Sequence, residues 1–310
     1  MDSIIFGGSS LYQLKTKRAR FDINPEEGGQ WLALQLGSRL SDDTISVLSG
    51  YKHPDPFFAS GSFLMFPWVN RLNPNPWAKA PFYPSTHWLT DGNGLSLHGL
   101  YHNLSRQIVA ELTTNKESRA SFCFILPDEW KHTQLSQIKI IETFVLSDSE
   151  LKIEYTVQNM SDSDFEFALG IHPYFRLGED SNIDDLYLFG TGFHEVKLGD
   201  FLLPERILEN EIRLIEECKL EGKHFDSLFK SVPEKGQNSY IGFFSMNRKE
   251  RVIVGGANFY QVYTPPDRKS LAIEPMTATG NFLNFSQEYT EKIVPSEIKR
   301  IEFFIRLENF

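Results

Sequence analysis

A chain of 310 residues, 41% hydrophobic and 23% charged, carries enough apolar side chains for a sizeable core, which excludes a disordered or low-complexity polypeptide. Its 31 Lys and Arg against 41 Asp and Glu leave a formal charge of −10, and no basic stripe interrupts that balance, so a phosphate backbone would be repelled and nucleic acid is excluded as a partner. No stretch reaches the roughly 18 apolar residues of a membrane span, and the two isolated cysteines, Cys123 and Cys218, form neither a CxxC pair nor a disulfide framework.

Taken in chain order, the segment Tyr12 to Arg20 is studded with Lys15, Lys17, Arg18 and Arg20, which breaks any apolar leader; with the cysteine usage this points to a soluble, cytoplasmic protein. Trp31 to Leu36 is the first strand-like run, and Ser121 to Leu126 the next. Ile138 to Leu146 follows, and Ser147-Asp148-Ser149-Glu150 makes a short polar turn into Leu151 to Gln158. There Leu151, Ile153, Tyr155 and Val157 alternate with polar residues, so the pair reads as a β-hairpin with one buried face. Phe165 to Ile171, Tyr240 to Met246 and Phe259 to Thr264 are further β-like runs. Helical periodicity is scarce; its best candidate lies between Glu209 and Lys230, where Leu214, Ile215, Cys218 and Leu228 could form short amphipathic turns broken by Gly222. At the end of the sequence Ile301, Phe303, Ile305 and Leu307 sit two apart, while the apolar Phe304 implies partial cover on the second face. Turns are marked at Pro54 to Pro56, Asn73 to Pro76, Asp91 to Gly94 and Pro265-Pro266-Asp267.

Many strands and few short helices predict an all-β protein, a large antiparallel β-sandwich of two sheets packed face to face. No linker or repeat divides the sequence, so residues 1–310 are expected to form a single domain. The long Pro- and Gly-rich connections between Asn73 and Gly99 suit a binding rim.

Five short stretches place ionisable groups beside strand ends or turns: Asn70-Arg71, Leu97-His98-Gly99, His172-Pro173-Tyr174-Phe175, Phe225-Asp226 and Glu274-Pro275-Met276-Thr277. Singly, Arg71 reads as a surface or salt-bridging arginine, His98 as a loop histidine and Asp226 as a helix cap. His172 and Glu274 carry more, because each ends an apolar run and precedes a proline. Proline holds the preceding residue extended and stops the ladder, which sets both side chains at strand ends bordering a cleft. A hydrogen-bonded structural pair at the sheet rim is the competing reading.

Together and in this order, the five stretches resemble the aldose 1-epimerase family, whose pattern contains an NRI-type stretch, LHG, HPYF, a later aspartate, and E-P-M-T followed by a turn near F-N. Here these are Asn70-Arg71-Leu72, Leu97-His98-Gly99, His172 to Phe175, Asp226, and Glu274 to Thr277 followed by Gly280-Asn281-Phe282. The resemblance implies the galactose mutarotase-like supersandwich fold and interconversion of the α and β anomers of a free aldose such as glucose or galactose, without cofactor or metal. It assigns His172 as general acid, Glu274 as general base, and Asn70, Arg71, His98 and Asp226 as sugar-binding residues, with Trp68, Tyr174 and Phe282 as candidate apolar walls.

The residue types support that chemistry independently. Opening a pyranose needs a proton delivered to the ring oxygen and another removed from the anomeric hydroxyl, expected from an acid and a base on opposite sides of the sugar. Three alternatives stay open. A hexose-6-phosphate epimerase would need cations around a phosphate; His102 stands where such relatives carry arginine, and Arg106 is near in sequence. A noncatalytic carbohydrate-binding or sensor protein on the same sandwich would need the binding residues but not the proton-transfer pair. A metal enzyme could use His98 and His102, four apart, although Gly99 and the loop-like surroundings do not suit a helical zinc pair. Composition says nothing of oligomeric state.

Overall fold

The segments with period-two patterning fold as strands. In Glu150–Asn159 the side chains of Leu151, Ile153, Tyr155 and Val157 are buried and those between them are not. This strand pairs antiparallel with Ile138–Ser147, from Ile138 opposite Asn159 to Leu146 opposite Leu151, as the hairpin pattern requires. The computed structural model describes residues 5–6, 9–38, 43–52, 58–73, 89–178, 182–213, 217–233, 239–285 and 290–309. The turns expected at Pro54 to Pro56 and at Asn73 to Pro76 fall wholly or partly outside these residues, as does much of the expected rim, residues 74–88.

Two large sheets dominate. One has nine strands in the order Arg106–Thr113, Glu117–Phe124, Ile138–Ser147, Glu150–Asn159, Ile298–Asn309, Glu250–Gly255, Tyr240–Ser245, Leu186–Thr191 and Cys218–Lys219. The other runs Pro204–Arg213, Phe193–Leu198, Asp226–Ser231, Phe259–Tyr263, Leu271–Met276, Gly170–Ile171 and Leu64–Met65, with Tyr174–Phe175 also pairing to Leu271–Met276. All these pairings are antiparallel. The architecture is therefore the expected large antiparallel β-sandwich. Apolar residues of both sheets, among them Phe144, Ile153, Phe243, Phe303, Leu228, Val262 and Ile273, belong to one buried cluster. Removal of that surface from water is the main drive for packing the layers.

A four-stranded sheet, Tyr12–Lys15, Arg20–Asn24, Gln30–Gly37 and Thr44–Ser46, covers part of the nine-stranded one. Phe21 and Trp31 meet edge-on at 5.1 Å, and both pack on Phe144. In the last strand Phe303, Ile305 and Leu307 are buried in the main core. Phe304 packs on the opposite face against a small cluster of Phe189, Phe244 and Ile253, so that face is partly covered as expected.

Two expectations need correction. The segment expected to turn helically between Glu209 and Lys230 is extended: Pro204–Arg213, Cys218–Lys219 and Asp226–Ser231 are strands, with Leu214 and Ile215 outside the described residues. The competing pull was sheet pairing, since Asp226–Ser231 lies between two strands that use both its edges. The run Phe165 to Ile171 is not one strand either. Phe165–Phe167 pairs with Glu291–Ile293, whereas Gly170–Ile171 joins the eight-stranded order, and Leu169 between them donates its N–H to the Thr277 hydroxyl at 3.0 Å. The one α-helix among the described residues is the single turn Phe282–Phe285, and no described helix is long and apolar enough to cross a membrane.

Candidate active site

Strand register builds the site. Gly170 lies opposite Met276 and Tyr174 opposite Ala272, which sets His172 across from Glu274 on the same face. On the other side of Leu271–Met276, Gln261 is paired with Glu274, and on the next strand Asp226 is paired with Tyr263, two residues from Gln261. Because alternate residues share a face, Asp226, Gln261, Tyr263, Glu274, His172 and Tyr174 converge on one cleft. Its volume is about 240 Å³, and Phe58, Asn70, Arg71, Leu97 and His98 complete the lining. A larger hollow of about 490 Å³ on the outer face of the nine-stranded sheet, beside Arg119, Glu154, Arg300 and Glu302, contains no histidine. Arg119 is ion-paired there with Glu154.

Within the cleft His172 Nε2 lies 3.1 Å from Glu274 Oε1, both side chains being almost wholly buried. Burial pushes the His172 imidazolium down to about 4. Burial also raises Glu274 well above the usual carboxylate range; the neighbouring Asp226 charge adds to this and Arg71 opposes it. Asp226 itself is raised, again by burial, against the pull of Arg71 and a 2.5 Å hydrogen bond from Gln261 Nε2. His98 is held well below the ordinary histidine value, first by burial and then by the neighbouring His172, His102 and Arg71, so it presents a neutral ring to the cleft. Its Nδ1 lies 3.1 Å from the Met65 sulfur. Arg71 donates through Nε to Asp91 at 2.8 Å, which fixes the guanidinium where it faces the cleft.

The loops that deliver Arg71 and His98 are knotted by main-chain bonds. Asn70, His98 and Asn281 all adopt left-handed backbone, with φ of 49°, 57° and 52°. His98 donates its N–H to the Asn70 carbonyl at 2.8 Å, Asn281 donates to the Arg71 carbonyl at 2.6 Å, and the Asn281 side chain accepts from Asn73 N–H at 3.0 Å. Three non-glycine residues in this sparsely populated region, brought together at one cleft, mark backbone strain held by the surrounding bonds. The Gly280-Asn281 turn after Glu274-Pro275-Met276-Thr277 thus serves to brace the Arg71 loop.

The structure brings together His172, Glu274, Asn70, Arg71, His98, Asp226 and Tyr174. Trp68 and Phe282 are at most 1% exposed and lie in the core, away from the cleft lining. His102 is also buried and does not line the cleft. Arg106, the cation on which a phosphate reading drew, forms a buried ion pair with Glu142 at 2.7 Å and is equally remote from the cleft. His98 sits at a bend before the Gly99 bridge and His102 begins the following turn, so no helix carries the two, and among the described residues no three His, Cys, Asp or Glu side chains are grouped as a metal site would need. Gln261, Tyr263 and Phe58 were not singled out from the sequence. A polar Gln261 within the otherwise apolar or aromatic run Phe259–Tyr263 was the available signal for one of them.

Comparison with known proteins gives the family and the fold. The family model described as aldose 1-epimerase matches residues 10–305. The chain belongs to the aldose 1-epimerase family. Solved structures of similar fold include a galactose mutarotase-like protein from Clostridium acetobutylicum, 17% identical with a TM-score of 0.79, the match covering 99% of this chain and 97% of that one. A galactose mutarotase related enzyme from Lactobacillus acidophilus is 16% identical with a TM-score of 0.70, over 96% and 97% of the two chains. The GalM/aldose epimerase homologue from C. elegans is 15% identical with a TM-score of 0.71, over 97% and 99%. No curated protein sequence matches. At these identities the structural relatives establish a galactose mutarotase-like fold for this member of the family.

Proposed function

We propose that this aldose 1-epimerase family member is an isomerase that interconverts the α and β anomers of a free aldose, with Glu274 as general base and His172 as general acid. The observation that carries the reading is the 3.1 Å contact between His172 Nε2 and Glu274 Oε1 inside the cleft shared with Arg71, His98 and Asp226. The expectation of an acid and a base on opposite sides of the sugar gives way to one in which both approach a single edge. A cyclic hemiacetal makes this workable, because its ring oxygen and anomeric hydroxyl are bonded to the same carbon. A sugar that lays this edge across the two side chains offers its hydroxyl proton to Glu274 and its ring oxygen to the His172 proton.

The C1–O5 bond then breaks as the electron pair from the deprotonated anomeric oxygen forms the aldehyde C=O, and O5 leaves with the proton from His172. Rotation about C1–C2 presents the other aldehyde face. Ring closure returns the protons with roles reversed, so the reaction consumes nothing. Arg71 and neutral His98 are positioned to stabilise charge developing at the oxygens, and Asp226 with Gln261 to accept from and donate to hydroxyls farther round the ring. The same reading takes the chain as one unit, supported by the continuous core and by a family match spanning nearly its full length.

Glu274→Gln and His172→Asn should each lower the anomerisation rate by at least about 100-fold, in the range typical for loss of a general acid or base, with unchanged far-ultraviolet circular dichroism. Polarimetry or NMR anomer exchange over a panel of aldoses and their 6-phosphates checks this. Near wild-type rates in either folded variant would end the assignment.

A further inference from the structure

We propose that Phe63 is a positioning residue for this reaction: its ring, with that of Tyr174, sets the plane of the His172 imidazole so that Nε2 is aimed at Glu274 and the substrate oxygens. The inference rests on the acid–base reading above. Met65 is paired with Gly170 and Leu64 with Ile171, and His172 N–H donates to the Phe63 carbonyl at 3.1 Å, so Phe63 and Glu274 flank His172 from the two neighbouring strands. The Phe63 ring lies 5.0 Å from the imidazole, centroid to centroid, at an interplanar angle of 22°. Tyr174, two residues farther along the His172 strand, stacks at 4.8 Å and 29°. Phe63 also meets His98 edge-on at 5.5 Å, and the two imidazoles themselves meet edge-on at 5.1 Å.

What makes this packing consequential is the other nitrogen of the ring. An acid–base histidine is commonly oriented through its second nitrogen by a carboxylate or a main-chain carbonyl. Here His172 Nδ1 is buried and no neighbouring residue bonds it; apart from the Glu274 contact, the ring's polar interaction is with its own main chain. The ring torsion of histidine is intrinsically broad, and with no neighbouring residue holding Nδ1 the surrounding faces restrict it. Phe63 is 1% exposed, and the Tyr174 ring is itself anchored by its hydroxyl, which donates to the Phe58 carbonyl at 2.6 Å. The two rings are therefore fixed surfaces against which the imidazole is ordered.

The test replaces the flat ring while keeping most of its volume. Phe63→Met should lower kcat roughly 10- to 100-fold, the scale expected when a reacting group is misaligned by about an ångström, with KM changed less than about 3-fold because Phe63 is not part of the cleft lining. Phe63→Tyr restores a flat ring and should recover kcat to within about 3-fold of wild type. Wild-type kcat in folded Phe63→Met, or equal loss in both variants, would overturn the proposal. A measurement on the wild-type protein covers the case in which neither variant folds. ¹⁵N-edited NMR of the His172 ring should show one neutral tautomer in one environment, and exchange between two ring orientations would refute the clamp. Loss of activity in His172→Asn beside an unaffected Phe63→Met would remove the positioning role alone, whereas absence of anomer exchange by the wild-type enzyme on every aldose would remove the reaction it serves.

Discussion

At the cleft a single proton is shared by two groups that burial pushes in opposite senses. His172 gives up its proton at about 4, while Glu274 keeps one well above its ordinary value of 4.5. Between those limits the pair holds one proton, which these shifts leave on Glu274; the proposed roles require it to cross the 3.1 Å contact to His172 Nε2, freeing Glu274 as base and arming His172 as acid. Below about 4 a second proton occupies the pair and no base remains; as pH rises past the raised Glu274 value the shared proton leaves and no acid remains. The kcat/KM for anomer exchange should therefore follow a bell whose acid limb lies near pH 4, and an acid limb near the ordinary histidine value of 6.5 would contradict the buried pair. His172 and Glu274 were legible because each combines an ionisable side chain with a following proline at the end of an apolar run. Trp68 and Phe282 were not separable from cleft aromatics by type, since a large ring suits a core and a sugar face equally. The contact between His172 and Glu274 was hidden too, because it comes from a cross-strand register about 100 positions apart in sequence.

Strands and their caps carry the next level. The hairpin from Ile138 to Asn159 could be read from sequence because its partners are adjacent and its period-two alternation is unbroken. The segment around Cys218 and Leu228 could not, because short apolar clusters satisfy helical and extended spacing alike until sheet edges compete for them. A test at this scale concerns Gly29, which has φ of +60° at the start of the strand Gln30–Gly37. A Cβ there would fall 1.4 Å from Arg106 Nη1, in the space of the guanidinium that pairs with Glu142. Tyr155 donates to the other Glu142 oxygen at 2.7 Å, so the carboxylate is held by two partners in the core. Displacing one member of a buried ion pair typically costs about 3–5 kcal/mol. Gly29→Ala should thus lower unfolding free energy by about that amount, whereas Gly92→Ala, whose Cβ meets nothing within 4 Å, should stay within about 0.5 kcal/mol of wild type. Urea unfolding distinguishes the two, and equal stability of both variants would show that the guanidinium has room to move.

Across the whole molecule the β-sandwich class followed from composition and alternation, but the order of strands did not. The last strand, Ile298–Asn309, lies between Glu150–Asn159 and Glu250–Gly255, and Leu64–Met65 ends the eight-stranded order beside Gly170–Ile171. Such long-range neighbours leave no local trace, because what selects them is burial of whole faces. One core shared by both sheets predicts that they unfold together. Scanning calorimetry should give one transition, with tryptophan fluorescence and far-ultraviolet circular dichroism coinciding, and two separated transitions would divide the chain into independent units.

The antiparallel ladder that sets Glu274 beside His172 has a corollary for sequence change. A single inserted or deleted residue inside Leu271–Met276 would exchange the faces of the strand, sending an isoleucine into the cleft and a carboxylate into the sandwich interior. Natural variants of this chain should consequently vary in length in the connections, and keep the residue count between Gln261 and Glu274 fixed or altered only within the Pro265-Pro266-Asp267 turn.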